Sequence, residues 1–167
     1  WLYSYADMMS TISSFESIFM RYFAADALQA FAEASIDKGI HREIIYTLIA
    51  DLHRLAGNND VALTWARRGG ARYPQNIWLK RAEIEALKEQ RRWQDLDIVL
   101  KRECGKNRNQ PYFHAERIWL YYRWRASLNL PKERTQFALV LRNERSAREE
   151  FASNFKDVPL TSLVYGL

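Results

Sequence analysis

The stretch EIIYTLIADLHRLAGNNDVALTWARRGGARYP, residues 43–74, holds two helix-forming runs in succession with Pro74 at the exit. Two antiparallel helices cannot bury their apolar faces alone, so such a pair must stack on others of its kind. Close approach at the crossings demands small side chains, and Ala50, Ala62 and Ala66 supply them. Gly69-Gly70 lies within the second run, where each glycine costs roughly 1 kcal/mol relative to Ala. Two readings of that penalty stand: a contact too close for a Cβ, or a helix that ends at Gly69.

The start of the second run recurs along the chain. Asp26 and Asp60, Phe31 and Trp65, and Ala32 and Ala66 are pairs 34 residues apart; adding 34 again carries Ala62 to Leu96 and Ala66 to Leu100, both apolar. This pattern resembles the tetratricopeptide repeat, a helix–turn–helix unit with aromatic, small and proline positions at set spacings. Within residues 43–76, Tyr46, Ile49-Ala50 and His53 take the first-helix places, and Ala62, Ala66 and Pro74 the second-helix and exit places. Residues 9–42 keep Ile12, Phe15 and Phe19 for packing, but set Glu16 and Leu28 where small residues belong and Ile40 in place of the exit proline. In residues 77–110, Trp93, Leu96 and Leu100 keep the second helix, while Lys80, Glu83 and Ile84 depart from the first.

Beyond residue 110 the register slips. Pro111 opens a helix bearing Phe113, Ile118, Tyr121, Tyr122 and Leu128, and Pro131 opens another, with the turn between them about five residues late for the repeat. The expected architecture is all-α: a right-handed α-solenoid of about four antiparallel helix pairs. Its parts are a helix remnant at 1–8, three pairs at 9–42, 43–76 and 77–110, a longer modified fourth pair at 111–152, and a tail or the start of a following segment at 153–167.

Composition agrees with this class. The 167 residues are 48% hydrophobic and 14% aromatic, which excludes disorder, and 6 Gly with 4 Pro are too few for a many-stranded sandwich or barrel. A single cysteine, Cys104, excludes an internal disulfide framework and a four-thiolate zinc site. No apolar run is long enough to span a membrane; even Ile44 to Leu52 contains Asp51. Opening on Trp1 rather than Met, the chain reads as a processed product or an excised piece, so localisation stays open.

Charge divides the chain. Residues 1–60 hold four basic and eight acidic side chains, whereas residues 61–167 hold 21 and 12. A polarised molecule of this kind attracts an acidic partner with its C-terminal part.

No catalytic signature is present: there is no phosphate loop, nucleophile elbow, His-Glu-x-x-His pair or Cys-x-x-Cys. His41 and His53 are expected near opposite ends of one helix, roughly 18 Å apart at 1.5 Å per residue, and His114 and Cys104 read as packed side chains. The expectation is a non-enzyme without metal or cofactor.

The segment ERIWLYYRWR, residues 116–125, is the most distinctive, since Trp119, Tyr122 and Arg123 share one helical stripe and Ile118, Tyr121 and Arg125 another. Aromatics interleaved with Arg suit stacking on a ligand, and equally suit a helix with core on one side and a missing neighbour on the other. In the family resembled, the first helix of each pair lines the ligand-binding face. That resemblance implies an outward stripe of Ser13, Ser17 and Arg21, then Thr47, Asp51 and Arg54, then Trp78, Arg81, Glu85 and Lys88, then Trp119, Tyr122 and Arg123. The partner-binding candidates are therefore Arg54, Trp78, Arg81, Glu85, Lys88, Trp119, Tyr122 and Arg123. The competing surface is the basic face of the second helices, with Arg67, Arg68, Arg72, Lys101 and Arg102.

The expected function is protein–protein interaction, as scaffold, adaptor or recognition region of a longer chain that binds an acidic protein or peptide. Alternatives are RNA or single-strand binding through the basic C-terminal part, and an accessory domain of a bacterial surface-polysaccharide enzyme or export apparatus.

Overall fold

A computed structural model describes residues 25–129 and 132–156, and every regular element among them is helical. In chain order these are α1 (Ala25–Asp37), α2 (Glu43–Leu55), α3 (Asn59–Arg72), α4 (Ile77–Glu89), α5 (Trp93–Lys106), α6 (Pro111–Ser127) and α7 (Arg134–Asn154). The remnant expected at 1–8 and the positions Ile12, Ser13, Phe15, Glu16, Ser17, Phe19 and Arg21 lie outside the described residues, as do Pro131 and the tail from 157.

The spacing seen in the sequence reappears in the helix starts. Ala25, Asn59 and Trp93 are 34 residues apart, and so are Glu43, Ile77 and Pro111. Local chemistry explains the boundaries. The Asn76 side chain accepts hydrogen bonds from the backbone N–H groups of Trp78 at 2.8 Å and Leu79 at 3.0 Å, satisfying two orphan donors at the start of α4. Pro111 stands in the first turn of α6, where its missing N–H costs nothing. The turns after α2 and α4 need a left-handed residue one step past the cap: Gly57 supplies it at φ 82° and, 34 residues on, Arg91 at φ 54°. After α6 the period lapses, because that helix runs on to Ser127 before α7 begins at Arg134.

Of the two readings of Gly69-Gly70, the close contact is the one observed. Helix α3 continues through both glycines to Arg72, and a Cβ on Gly69 would lie 2.6 Å from the Tyr46 Cβ and within 3 Å of both Leu79 methyls. Gly70 meets no such neighbour. Gly69 thus lets α3 approach α2 and α4 together.

The chain divides into two compact units, the first ending at Gln90 and the second beginning at Arg91. In the first, α2 packs against α1, α3 and α4, and α3 packs against α4. Tyr46 stands at the middle of its core, with its ring 5.8 Å from Trp65 and 6.0 Å from Tyr73 and its hydroxyl 3.1 Å from His41 Nδ1. Ala50, Ala62 and Ala66 are all buried. In the second unit α6 packs against α5 on one side and α7 on the other. Its buried residues include Leu96, Leu100, Phe113, Leu120, Tyr121, Val140 and Ala147.

Candidate interaction surfaces

The candidates fall into two groups, one in each unit, and each group has a different chemistry. Arg54, Trp78, Arg81, Glu85 and Lys88 belong to α2 and α4 of the first unit. Arg54 pairs with Asp51 one turn earlier at 3.5 Å, Lys88 pairs with Glu85 at 3.0 Å, and the Arg81 guanidinium lies over the Trp78 ring at 5.0 Å. All five side chains are half-buried. Burial pushes the Asp51 carboxyl above its ordinary range; Arg54 and, across the helices, Arg81 pull it down, while Glu85 adds to the push. The result is a self-neutralising mosaic in which cations and carboxylates largely answer one another. Thr47, expected on the same stripe, is only 5% exposed and donates its hydroxyl proton to the Glu43 carbonyl at 3.1 Å. That position is corrected from surface to core: α2 is covered by α1, α3 and α4, so its open face is narrower than a helical wheel allows.

Trp119, Tyr122 and Arg123 belong to α6 of the second unit. Trp119 retains 36% of its surface and Tyr122 51%, whereas Tyr121 and Trp124 on the same helix are buried. The two stripes of this aromatic helix therefore part company: the Tyr121 side is core and the Trp119–Tyr122 side is open. Arg123 lies over Trp119 at 5.7 Å, Arg125 over Tyr122 at 5.7 Å, and Trp93 meets Trp119 edge-on at 6.4 Å. A guanidinium held against a ring face fixes both partners, adding about 0.5–1 kcal/mol at an exposed site. Trp93 and Arg125 complete this surface, although helical spacing alone put Arg125 on the Tyr121 stripe. Arg125 reaches Tyr122 because residues three apart on a helix are neighbours too, and Glu144 on α7 pairs with its Nη1 at 3.2 Å.

The competing basic surface is occupied in part, for Arg67, Lys101 and Arg102 have carboxylate partners, whereas Arg68 and Arg72 are exposed with none within ion-pair distance among the described residues. Arg67 donates to Glu83 at 2.8 Å, Arg68 covers Trp65 at 5.1 Å, Lys101 pairs with Asp97 at 2.7 Å and Arg102 with Glu103 at 2.8 Å. A groove of about 300 Å³ floored by Trp65 and Val61 and rimmed by Glu33, Asp60 and Arg68 opens in the first unit.

One polar chain, buried at Tyr121 and His114 and half-buried at its other members, escaped the sequence. Tyr121 donates to Asp97 at 2.6 Å and accepts from Arg117 Nε at 3.4 Å, Arg117 donates to Glu150 at 2.8 Å, and His114 Nδ1 stands 3.5 Å from the other Glu150 oxygen. Asp97 and Glu150 come from α5 and α7, and α7 lies outside the repeat register, so no period could pair Glu150 with α6. Burial, reinforced by the hydrogen bond to Asp97, pushes the Tyr121 phenol up to about 12. Burial likewise pushes the Cys104 thiol up to about 11, against the pull of Arg117, so at neutral pH it stays a protonated thiol. Burial pushes His114 down; Glu150 opposes this and Arg117 assists it. Among the described residues no three His, Cys, Asp or Glu side chains converge on a point suited to a metal ion, and no helix is long and apolar enough to cross a membrane. Compared with known proteins, the chain matches no family model, no curated protein and no solved structure.

Proposed function

We propose that this chain is a protein-interaction module, a scaffold, adaptor or recognition region built from helix pairs in a right-handed, tetratricopeptide-like solenoid. A peptide or partner helix lies on the outward stripe of the first helices. The observation that carries the reading is the open face of α6, where Trp119 and Tyr122 stand exposed with guanidinium groups over both rings. Trp, Tyr and Arg are the residues on which binding energy concentrates, because each brings a large contact area with few torsions to fix. Binding rather than catalysis also suits the chain's reactive groups, since its thiol is buried and protonated and His114 favours the neutral form.

Incorporating a photo-crosslinking phenylalanine analogue at Tyr122, and separately at Ser146 on the outer side of α7, tests this in the source cell. Protein adducts are expected from position 122 and not from 146. Replacing both Trp119 and Arg123 by Ala should weaken capture by about 2–4 kcal/mol while leaving helicity unchanged. Adducts to RNA alone, or none, would remove the reading.

A further inference from the structure

Resting on that reading of α6, we infer that the Trp119 surface takes an acidic protein segment, in which one Asp or Glu side chain pairs with Arg123 and a neighbouring bulky apolar side chain covers Trp119 and Tyr122.

Charge complementarity is the first ground. Residues 1–90 carry ten basic and eleven acidic side chains, close to balance, whereas residues 91–167 carry fifteen and nine. The positive excess therefore belongs to the unit that bears the open aromatic face. The second ground is which cations are still available. Among those of α6 and the approach to α5, Arg92 is held by Asp95, Arg117 by Glu150 and Arg125 by Glu144, while Arg91 in the turn is exposed and lies on no ring among the described residues. Arg123 differs: it is exposed, it lies on Trp119, and no carboxylate among the described residues comes within ion-pair distance of it.

The Arg123 guanidinium carbon stands 5.7 Å from the centre of the Trp119 ring, and an exposed guanidinium presents its N–H donors in the fork that matches a carboxylate with two parallel hydrogen bonds. Trp93 and Trp119 meeting edge to face give that cation a firm floor, and the ring on one side has already removed part of its water. An arriving carboxylate thus meets a charge that is held in place and partly desolvated. The rings themselves ask for an apolar cover, since their exposed area is what burial would remove from water. One open cation beside two rings is a site for a single anion. A nucleic-acid strand instead draws its affinity from a succession of cations along the phosphates, and the other cations of this helix are taken.

Selection of a phage-displayed library of random peptides on the purified full chain provides the test, with affinities of the recovered peptides then measured on variants. The expected peptides carry Asp or Glu beside Trp, Phe or Leu. They should lose about tenfold or more in affinity on Arg123→Gln and on Tyr122→Ala, and nothing on Arg145→Gln, an exposed cation on α7. Arg123 and Tyr122 are both exposed, so circular dichroism should report intact helix in each variant. Peptides that lack an acidic residue, or that ignore Arg123→Gln while losing affinity on Tyr122→Ala, would overturn the acidic partner and leave the interaction reading standing. Failure to enrich any peptide, or displacement of bound peptide by oligouridine, would overturn both.

Discussion

At Gly69 a Cβ would stand 2.6 Å from the Tyr46 Cβ, an atom tied to its own backbone, while at Gly70 it would meet nothing within 4 Å. Both sites gain about 1 kcal/mol of helix propensity on replacement by Ala, but only the first also incurs overpacking, about 1–3 kcal/mol. Gly69→Ala is therefore expected to lower stability by up to about 2 kcal/mol, and Gly70→Ala to raise it by up to about 1 kcal/mol. Urea unfolding of the two variants checks both signs. His114 carries a pH dependence whose sign follows from its burial. Its folded pKa lies below the unfolded value of 6.5, so on acidification the unfolded chain takes the proton first and stability falls as pH drops below that value. His114→Gln should flatten the decline of stability on the acid side of neutrality, read from denaturation midpoints at a series of pH values. An unchanged slope would show that Glu150 compensates the burial in full.

Helices α2 and α3 pack together, and Ala62 on α3 is buried. Ala62→Leu inserts three carbons into a closed contact, so a loss of about 1–3 kcal/mol is expected in the melting curve. No change would mean that the crossing can widen. The start of α4 depends on Asn76, which caps two backbone N–H groups and also donates from Nδ2 to Glu43 at 3.1 Å. Asn76→Ala should cost about 1 kcal/mol, whereas Asn76→Asp should keep the cap but replace the link to Glu43 by repulsion between two carboxylates. These element boundaries were legible beforehand wherever the 34-residue spacing holds, since Pro111 and the alanines mark start and crossing directly. Thr47 was misread for the opposite reason. A helical wheel gives the angle of a side chain about its axis, but how many helices surround that axis depends on residues far away in the chain.

Each compact unit has a core of its own, Tyr46, Trp65 and Leu79 in the first and Phe113, Leu120 and Tyr121 in the second. In a molecule built of neighbour contacts, local damage should stay local. Gly69→Ala is thus expected to raise amide hydrogen exchange across α2, α3 and α4 and to leave α6 and α7 as they were; uniform acceleration along the chain would show a single cooperative unit instead. Charge divides at the same scale, near balance up to Gln90 and positive beyond, so the two units offer a partner different surfaces.

Helix content, the spacing of helix starts through α6 and the aromatic–arginine character of residues 116–125 could all be read from residue order, because each depends on neighbours within a few turns. The same order proposed the eight candidate residues, yet it could not tell a self-neutralised cation from an open one. Arg54 and Lys88 found carboxylates one turn away, and Arg125 found Glu144 on a helix outside the repeat. Arg123 found none among the described residues. Which of two adjacent glycines is indispensable, which of two aromatic stripes is core, and which arginine remains available are questions of distance between helices. Those distances arise only when the apolar faces close on one another.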